Sequence, residues 1–248
     1  MFKPADLFDL SQTEHAAIFD GCEFAWDALK KIADYVAQQP RQVPAKRFPG
    51  ATIGEKVFIG EGTTVEPGAM IKGPAIIGKN CQIRHNAYIR DHVIVGDDCV
   101  VGNSCELKNV LLFNNCQVAH FNYLGDSILG YKAHVGAGVI ASNLKSLPGN
   151  VMVTSCGLQV ESFPSATPNE PSTFNLQPST PMDTGLRKFG ALIGDGAEVG
   201  CNSVLNPGSI IGRGAVIYPG VNWRGILPAN TIAKNKTQAE VVVKQARK

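Results

Sequence analysis

The residues of this chain with the clearest chemical potential lie in the stretch Val118–Gly130, which reads VAHFNYLGDSILG. It places His120 and Tyr123 within four residues of each other, in a region otherwise made of aliphatic, small and glycine residues. A neutral imidazole, with an ordinary pKa of about 6.5, is well matched to accept a proton near neutral pH. The stretch therefore predicts a general base beside a phenol.

Two cations and an amide accompany this stretch. Arg90 and Lys108 are 18 residues apart, and Asn143 follows His120 by a little more than that interval. If residues 18 apart lie side by side, the two cations repel each other unless an anion lies between them. Since a guanidinium binds a pair of phosphate oxygens well, the pattern indicates a site for a phosphate group.

A repeat of six residues predicts how these side chains are positioned. Aliphatic residues recur without interruption at Ile53, Ile59, Val65, Ile71, Ile77, Ile83, Ile89, Val95, Val101 and Leu107. The register slips by one residue twice after Leu107 and returns at Ile193 after a long break. A period of six fits neither a helix nor a simple strand and is typical of a hexapeptide-repeat parallel β-helix, an all-β solenoid. Three hexads close one triangular coil, and about seven coils would stack at about 4.8 Å.

The repeat also predicts which side chains face outward. The aliphatic first residue and the small fifth residue of each hexad point into the prism, so the third residue, His120, lies at an outward corner. Arg90 and Lys108 are both second in their hexads and stack on one face. Cys81, Cys99 and Cys116 form another column, which we interpret as polarisable core filler.

The chain divides into three parts. Residues 1–50 form a short helical cap that ends in a Pro-rich connector over 40–50, residues 51–233 form the β-helix, and residues 234–248 form a basic tail. The N-terminal part braces the prism or offers a surface for another protein. An insertion at about 145–189, rich in Pro, Ser and Thr over 162–181, is either a surface excursion or a lid over a neighbouring site. The tail either closes the last coil or offers cations to a phosphate.

Composition excludes several classes of protein. The 248 residues carry a formal charge of +2 and no basic stripe with interleaved aromatics, so we expect no nucleic-acid partner. Without a leader or an apolar run of about 18 residues, we expect a soluble cytoplasmic protein with no membrane contact. The seven cysteines form no CxxC pair, which indicates free thiols and no metal site.

The stretch from Arg90 to Leu144, with VAHFNYLGDSILG at its centre, resembles the acetyltransferase half of the bifunctional N-acetylglucosamine-1-phosphate uridyltransferases, the GlmU family. It also resembles the C-terminal part of archaeal sugar-1-phosphate nucleotidylyltransferases, which share the later TGLRKFGALIGD pattern. The resemblance covers about residues 77–145 and 184–222. It implies a left-handed parallel β-helix, a homotrimer with active sites between subunits, and acetyl transfer from acetyl-CoA to the amine of glucosamine-1-phosphate.

The same resemblance assigns roles to individual residues. His120 falls on the family's catalytic base, and Asn143 on a residue near the reacting amine and thioester. The positions that contact the sugar phosphate are Arg90, Lys108, Tyr123, His134 and Lys188. The positions that line the acetyl-CoA site are Ala137, Leu144, Cys201, Pro219 and, as a late basic residue, Lys234 or Lys236.

The resulting hypothesis is an acetyl-CoA-dependent N-acetyltransferase that acts on glucosamine-1-phosphate or galactosamine-1-phosphate, feeds UDP-N-acetylhexosamine synthesis and needs no metal. Three residues depart from the family pattern: His134 replaces an Asn, Ala119 replaces a Gly, and Asn122 occupies an inward place that is normally small. The sequence has no Gly-rich GxGTRM-like loop followed by a lysine, so uridyltransferase or pyrophosphorylase activity is not supported.

Three other interpretations stay open. The acceptor is a different amino sugar, such as a nucleotide-linked one, or the protein is a non-catalytic scaffold that binds a sugar nucleotide or acyl-CoA. A γ-type carbonic anhydrase on the same fold needs three histidines that meet at a zinc ion between subunits. The candidates for that site are His85, His92, His120 and His134.

Overall fold

The computed structural model describes residues 2–38, 48–154, 156–158, 176–178 and 181–235. Over these residues the chain is a left-handed parallel β-helix, which confirms the predicted fold class. Each of its three flat faces carries eight parallel strands in the described part, one more than the seven coils expected. We number the faces in the order in which the chain meets them.

The strands of each face stack in register from coil to coil. The first face contains Thr52–Ile53, Met70–Ile71, Tyr88–Ile89, Glu106–Leu112, Tyr123–Leu129, Ile140–Ala141, Val204–Leu205 and Asn222–Trp223. The second contains Val57–Ile59, Ala75–Ile77, Val93–Val95, the later halves of Glu106–Leu112 and Tyr123–Leu129, Ala191–Ile193, Ser209–Ile211 and Ile226–Leu227. The third contains Thr64–Val65, Gln82–Ile83, Val100–Val101, Gln117–Val118, His134–Val135, Glu198–Val199, Val216–Ile217 and Ile232–Ala233.

The interior of the prism is the aliphatic column that the repeat predicted. Ile71, Ile89 and Leu107 are fully buried and pair with one another from coil to coil. The small fifth residues of the hexads, including Cys81 and Cys99, are also buried in this core. The neighbouring Cys99 thiol and burial raise the pKa of Cys81, and the Cys116 thiol and burial raise the pKa of Cys99, so both thiols stay protonated and inert.

The two slips in the repeat correspond to two shortened coils. Leu107 pairs with Leu124 and Leu124 pairs with Ala141, so partners here are 17 residues apart and not 18. The strands Glu106–Leu112 and Tyr123–Leu129 run around the corner from the first face to the second without a break. One corner residue is lost from each of these coils, and the inward register on both sides is preserved.

The second face is apolar on its outer surface as well as inside. One outward residue of each coil forms a continuous column, which consists of Phe58, Ile76, Ile94, Leu111, Ile128, Leu192, Ile210 and Ile226. The N-terminal segment packs along this column as a series of short helices. They span Pro4–Leu7, Leu10–Gln12, Ala16–Phe19, Ala25–Lys30 and Ile32–Ala37, of which the first and last are α-helical and the others 3₁₀.

The N-terminal segment therefore lies along a face of the prism as five short helices, where the sequence predicted a helical segment that caps or braces the prism. Trp26 and Phe8 are buried in a second apolar core beneath it. Complete burial of such a side chain is worth about 1.5–3 kcal/mol, so the segment and the column stabilise each other. The carboxylate of Asp195 anchors the segment by accepting the Asp9 N–H at 2.6 Å and the Tyr131 N–H at 2.8 Å.

The predicted insertion leaves the prism at the corner between the first and second faces. Leu144 and Lys188 pair as an antiparallel bridge at its neck. Beyond the neck, Met152–Val153 pairs with Met182–Asp183, and Cys156–Leu158 pairs with Leu176–Pro178, both antiparallel. Val151 and Val153 are buried in the second core, so the base of the insertion follows the second face.

Several predicted features lie outside the described residues. These are most of the connector over 40–50, most of the Pro-, Ser- and Thr-rich run over 162–181, and the tail from 236, which includes Lys236. In the part of the chain that the structure describes, no helix is both long and apolar enough to cross a lipid bilayer.

Candidate functional site

The corner between the third and first faces carries His120 on an exposed turn. Hydrogen bonds between backbones stack three further predicted residues directly on it. The Gly138 N–H donates to the His120 carbonyl at 2.9 Å, and on the next two coils the carbonyls of Ala137 and Cys201 accept N–H groups at 2.8 Å. Pro219 occupies the same corner one coil further. The predicted base and three predicted acetyl-CoA positions therefore form one column.

Phe121 is a site feature that the sequence interpretation missed. Its φ of 60° is in the left-handed region, which a bulky residue rarely adopts. The equivalent corners of other coils use Asn86, Gly138 and Asn202, which tolerate this conformation better. The Phe121 side chain is 61% exposed, and its ring meets the His120 ring edge-on at 5.5 Å. An aromatic residue at a corner normally held by Gly or Asn was the signal that could have revealed it.

The outer surface of the first face brings Arg90 and Lys108 together as predicted. The Arg90 N–H donates to the Leu107 carbonyl, which places Arg90 beside Lys108 on successive coils. The sequence predicted an anion between these cations, and within the chain Arg90 already has a carboxylate partner. Arg90 Nη1 lies 2.8 Å from Glu106 Oε1, and this hydrogen bond raises the pKa of the Arg90 guanidinium further. Glu106 was not among the predicted site residues.

One donor of Arg90 has no acceptor in the part of the protein that the structure describes. Within the described residues, its Nε is buried and has no hydrogen-bond partner. A buried unpaired donor is costly unless something binds it. The Arg90 side chain is 32% exposed, and that of Glu106 36% exposed. The pair therefore lies at an open surface, where an incoming anion would meet a guanidinium already oriented by a carboxylate.

Tyr123 and Asn143 meet on the same face one coil apart. The Tyr123 hydroxyl donates to Asn143 Oδ1 at 3.5 Å, and the Asn143 Nδ2 donates to Asp126 Oδ2 at 2.5 Å. Burial raises the pKa of Tyr123, so its phenol stays protonated at neutral pH and acts as a donor. A Cβ on Gly125 would come within 2.7 Å of both the Tyr123 hydroxyl and the Asn143 amide nitrogen. Gly125 therefore provides the space in which these two groups meet.

Lys188 and Leu144 enter this region through the neck of the insertion. The Phe189 N–H donates to the Asn143 carbonyl at 2.9 Å, which holds the neighbouring Lys188 next to Asn143. Both Lys188 and Leu144 are exposed, and Leu144 is 49% exposed. The structure thus places this predicted cation beside the predicted catalytic amide.

Two predicted residues lie apart from the first face. His134 is exposed on the third face, where it is paired with Gln117 and Glu198 on the neighbouring coils. Lys234 is exposed beside Tyr218 on the last described coil, next to the corner that carries Pro219. Neither residue therefore lies on the first face of the same chain, where Arg90 and Lys108 are.

Asn122 is inward, as its place in the repeat predicted. It is 2% exposed, and its Oδ1 accepts the Val139 N–H at 2.6 Å. It therefore ties the coil that carries His120 to the next one.

Among the described residues, no group of three His, Cys, Asp or Glu side chains is arranged to hold a metal ion. His85 shares the corner of His120 two coils earlier, while His92 lies at a different corner.

Comparisons with known proteins agree with the resemblance seen in the sequence. Residues 71–162 match the family model described as the GMPPB C-terminal domain. The bifunctional protein GlmU of Methanococcus vannielii is 30% identical over 112 residues, which cover 45% of this chain and 22% of that protein. The bifunctional sugar-1-phosphate nucleotidylyltransferase/acetyltransferase of Sulfurisphaera tokodaii is 32% identical over 115 residues, which cover 46% and 23%. The match thus spans less than a quarter of either relative.

One solved structure matches this chain at low sequence identity and a low TM-score. A putative acetyltransferase of Bacillus cereus is 21% identical and has a TM-score of 0.31, with 75% of this chain and 73% of that chain covered. The relation to GlmU and to the sugar-1-phosphate nucleotidylyltransferases therefore rests on the sequence matches and on the repeat.

Proposed function

We propose that this protein is an acyltransferase that moves the acetyl group of acetyl-CoA to the amine of an amino-sugar 1-phosphate, glucosamine-1-phosphate or galactosamine-1-phosphate. The observation that carries the proposal is the arrangement of His120. It lies at an exposed corner stacked with Ala137 and Cys201, and three residues before Tyr123 on a face that bears cations. A base, an anion site and a ligand column thus adjoin one another.

In this proposal the first face binds the sugar phosphate. Arg90, oriented by Glu106, and Lys108 hold the phosphate oxygens, while Lys188 approaches from the neck of the insertion. Tyr123 donates a hydrogen bond, and Asn143 presents its carbonyl oxygen to the amine. Holding the amine against the thioester supplies much of the rate, because positioning two reactants replaces a bimolecular encounter.

His120 takes the proton in the chemical step. The amine nitrogen attacks the thioester carbonyl carbon and forms the C–N bond, while the imidazole accepts the amine proton. The C–S bond of the tetrahedral intermediate then breaks. The CoA thiolate leaves and takes from the imidazolium the proton that came from the amine. A backbone N–H that donates to the oxyanion would stabilise the intermediate. The step needs neither a redox partner nor a metal.

In this proposal acetyl-CoA lies along the column above His120, against Ala137, Cys201 and Pro219. Leu144 and Lys234 contact it at the edges of this column. Because these residues and the site residues of the first face are exposed or only half-buried on a single chain, we propose that a homotrimer encloses the site between subunits. His134, on the third face, would then reach a substrate bound by a neighbouring copy.

The test is release of free CoA from acetyl-CoA with each of the two amino-sugar phosphates, for the wild type and for His120→Ala. We expect turnover with at least one acceptor and a rate about 10² or more lower in the variant, the scale of a lost general base. His85→Ala is the matched control, since His85 occupies the same corner two coils away and should be dispensable.

Three results would contradict the proposal. If neither acceptor supports CoA release between pH 6 and 9, the acceptor assignment fails. If acetyl-CoA binds without turnover under those conditions, the protein is a binding scaffold. If His120→Ala keeps wild-type kcat, His120 is not the base.

A further inference from the structure

Asp126 is a buried carboxylate that holds the candidate catalytic amide. It is 6% exposed and lies at the corner between the first and second faces. Its Oδ2 accepts the Asn143 Nδ2 at 2.5 Å, and its Oδ1 accepts the Asn109 Nδ2 at 2.9 Å. Asn109, Asp126 and Asn143 occupy one column on three successive coils, and both amides point their NH₂ groups at the carboxylate.

This arrangement determines which way the Asn143 amide faces. An ionised carboxylate offers acceptors only, so each neighbouring amide must present nitrogen and not oxygen to it. With Nδ2 directed to Asp126, the Oδ1 of Asn143 points toward the Tyr123 hydroxyl and the outer surface of the first face. A hydrogen-bond acceptor, and not a donor, is thus displayed where the acceptor amine is proposed to bind.

The side-chain amide of Asn109, at the other end of this column, is also held in one orientation. The Asn109 amide nitrogen also lies 3.4 Å from the Leu29 carbonyl, in the N-terminal segment. Both of its hydrogens therefore have acceptors, and turning this amide over would lose both contacts. The N-terminal segment, Asn109 and Asp126 form a continuous support behind Asn143.

We infer that Asp126 is a positioning residue, which holds Asn143 so that its carbonyl oxygen accepts a hydrogen bond from the acceptor amine. The inference rests on the proposed function. Asn143 Oδ1 would withdraw one amine proton into a hydrogen bond and direct the nitrogen lone pair at the thioester. If Asn143 turned over, an NH₂ group would face the amine, and two donors would oppose each other.

The first variant is Asp126→Asn, measured as kcat and KM for both substrates. The new amide has one oxygen and one NH₂ group, so one neighbour must turn over. Because Asn109 is held by Leu29, we expect Asn143 to turn. The expected fall in kcat is about 10- to 100-fold, the scale known for groups that orient metal ligands. The KM for acetyl-CoA should stay within about threefold, because no contact to the CoA column is changed.

The decisive variant exchanges the two groups, Asp126→Asn with Asn143→Asp. The amide at 126 then donates to the carboxylate at 143, which again displays an acceptor to the site. Asn143→Asp alone places two carboxylates against each other and should be the least active of the set. We expect the exchanged pair to be at least about fivefold more active than Asp126→Asn, a non-additivity typical of residues in contact. A purely structural role for Asp126 predicts additive losses and no recovery.

Two further variants guard against loss of fold. Asn109→Gly removes one donor to Asp126 at a φ of 52° that glycine tolerates, and should lower kcat less than Asp126→Asn does. Asp195→Asn changes a half-buried carboxylate that accepts two backbone N–H groups at a different corner of the prism, between the second and third faces. It should lower the melting temperature and leave kcat unchanged. If Asp126→Asn matches Asp195→Asn in both respects, the inference is wrong.

Failure of the proposed function is separable from failure of this inference. If the wild type releases no CoA, the orientation of Asn143 is read from its side-chain NH₂ signals by NMR, identified by their absence in Asn143→Asp. These protons should exchange slowly with solvent in the wild type and faster in Asp126→Asn, because the turned amide exposes them. Equal exchange in the two proteins would overturn the inference whatever the activity.

Discussion

Arg90 and Glu106 lie on successive coils of the first face, with Nη1 of the guanidinium 2.8 Å from Oε1 of the carboxylate. The pair offsets the charge of one of the two stacked cations, Arg90 and Lys108. It also fixes the orientation of the planar guanidinium on the half-buried outer surface of the first face. A pre-oriented fork of this kind recognises a phosphate better than a free side chain does.

Arg90→Ala should therefore weaken binding of the amino-sugar phosphate more than binding of acetyl-CoA. Loss of a charge-assisted contact predicts a KM for the acceptor about 10-fold or more higher, equivalent to about 1.4 kcal/mol or more. Arg90→Lys keeps the charge but not the fork and should recover only part of the loss. Steady-state kinetics with each substrate varied separately checks this. Equal changes in both KM values would contradict it.

Gly125→Ala should reduce activity more than stability. The added methyl group would come within 2.7 Å of the Tyr123 hydroxyl and the Asn143 amide, both side-chain groups that can move away. The fold can therefore adjust, but only by displacing two site residues, and a misplacement of about 1 Å can cost about 100-fold in rate. Kinetics and thermal unfolding measured together check this.

Gly196→Ala is the control for Gly125→Ala. Gly196 has a φ of 63°, so alanine is strained there, yet its Cβ would meet no atom within 4 Å. It should lower the melting temperature and leave kcat unchanged. If Gly125→Ala were equally harmless to kcat, the space at Gly125 would have no part in the site.

Ile128→Ala should destabilise the protein although Ile128 points out of the prism. Its side chain is fully buried beneath the N-terminal segment, so truncation leaves a cavity that costs about 2–5 kcal/mol. Ile232→Ala makes the same chemical change at a residue that is 58% exposed and should change stability by about 0.5 kcal/mol or less. Urea unfolding of the two variants gives the comparison. Similar losses would show that the segment does not seal the second face.

His15→Gln should remove part of the acid sensitivity of the fold. Burial lowers the pKa of His15 below its ordinary 6.5, outweighing the opposite effect of Glu14 and Asp97, and its Nδ1 lies 3.1 Å from the Tyr35 hydroxyl. The unfolded chain thus binds a proton more readily than the folded one. The stabilisation is complete above pH 6.5 and is lost as the pH falls through the window below that value.

Unfolding free energies at pH 7.5 and 5.5 test this, with Trp26 fluorescence in a Trp223→Phe background as the probe of the N-terminal segment. The difference between the two pH values should be larger in the wild type than in His15→Gln. An identical difference in both proteins would show that His15 titrates alike in the folded and unfolded states.

The spacing of aliphatic residues was sufficient to predict the prism, its inward positions and the column that joins Arg90 to Lys108. It succeeded because the strand register follows directly from a period of six. The same arithmetic placed His120 at an outward corner. Lys188 could be placed only through the family resemblance, since the insertion interrupts the count before the chain returns.

The two carboxylates that contact site residues, Glu106 and Asp126, were not predicted for a different reason. Glu106 and Asp126 are acidic residues at ordinary outward or corner places, and their partners become visible only when coils are stacked. The apolar outer surface of the second face did have a signal. Its strands are runs of three apolar residues such as Ala75–Ile77 and Val93–Val95, where an outward residue would otherwise be polar.

The pairing of Leu144 with Lys188 makes the coil register independent of the length of chain between them. Ala141 pairs with Leu205 across the insertion as closely as Leu124 pairs with Ala141 without one. Residues can be gained or lost beyond this neck without shifting any coil. The side chains stacked above His120 therefore stay the same while the length of the excursion changes, so new loops can be acquired beside an unchanged candidate site.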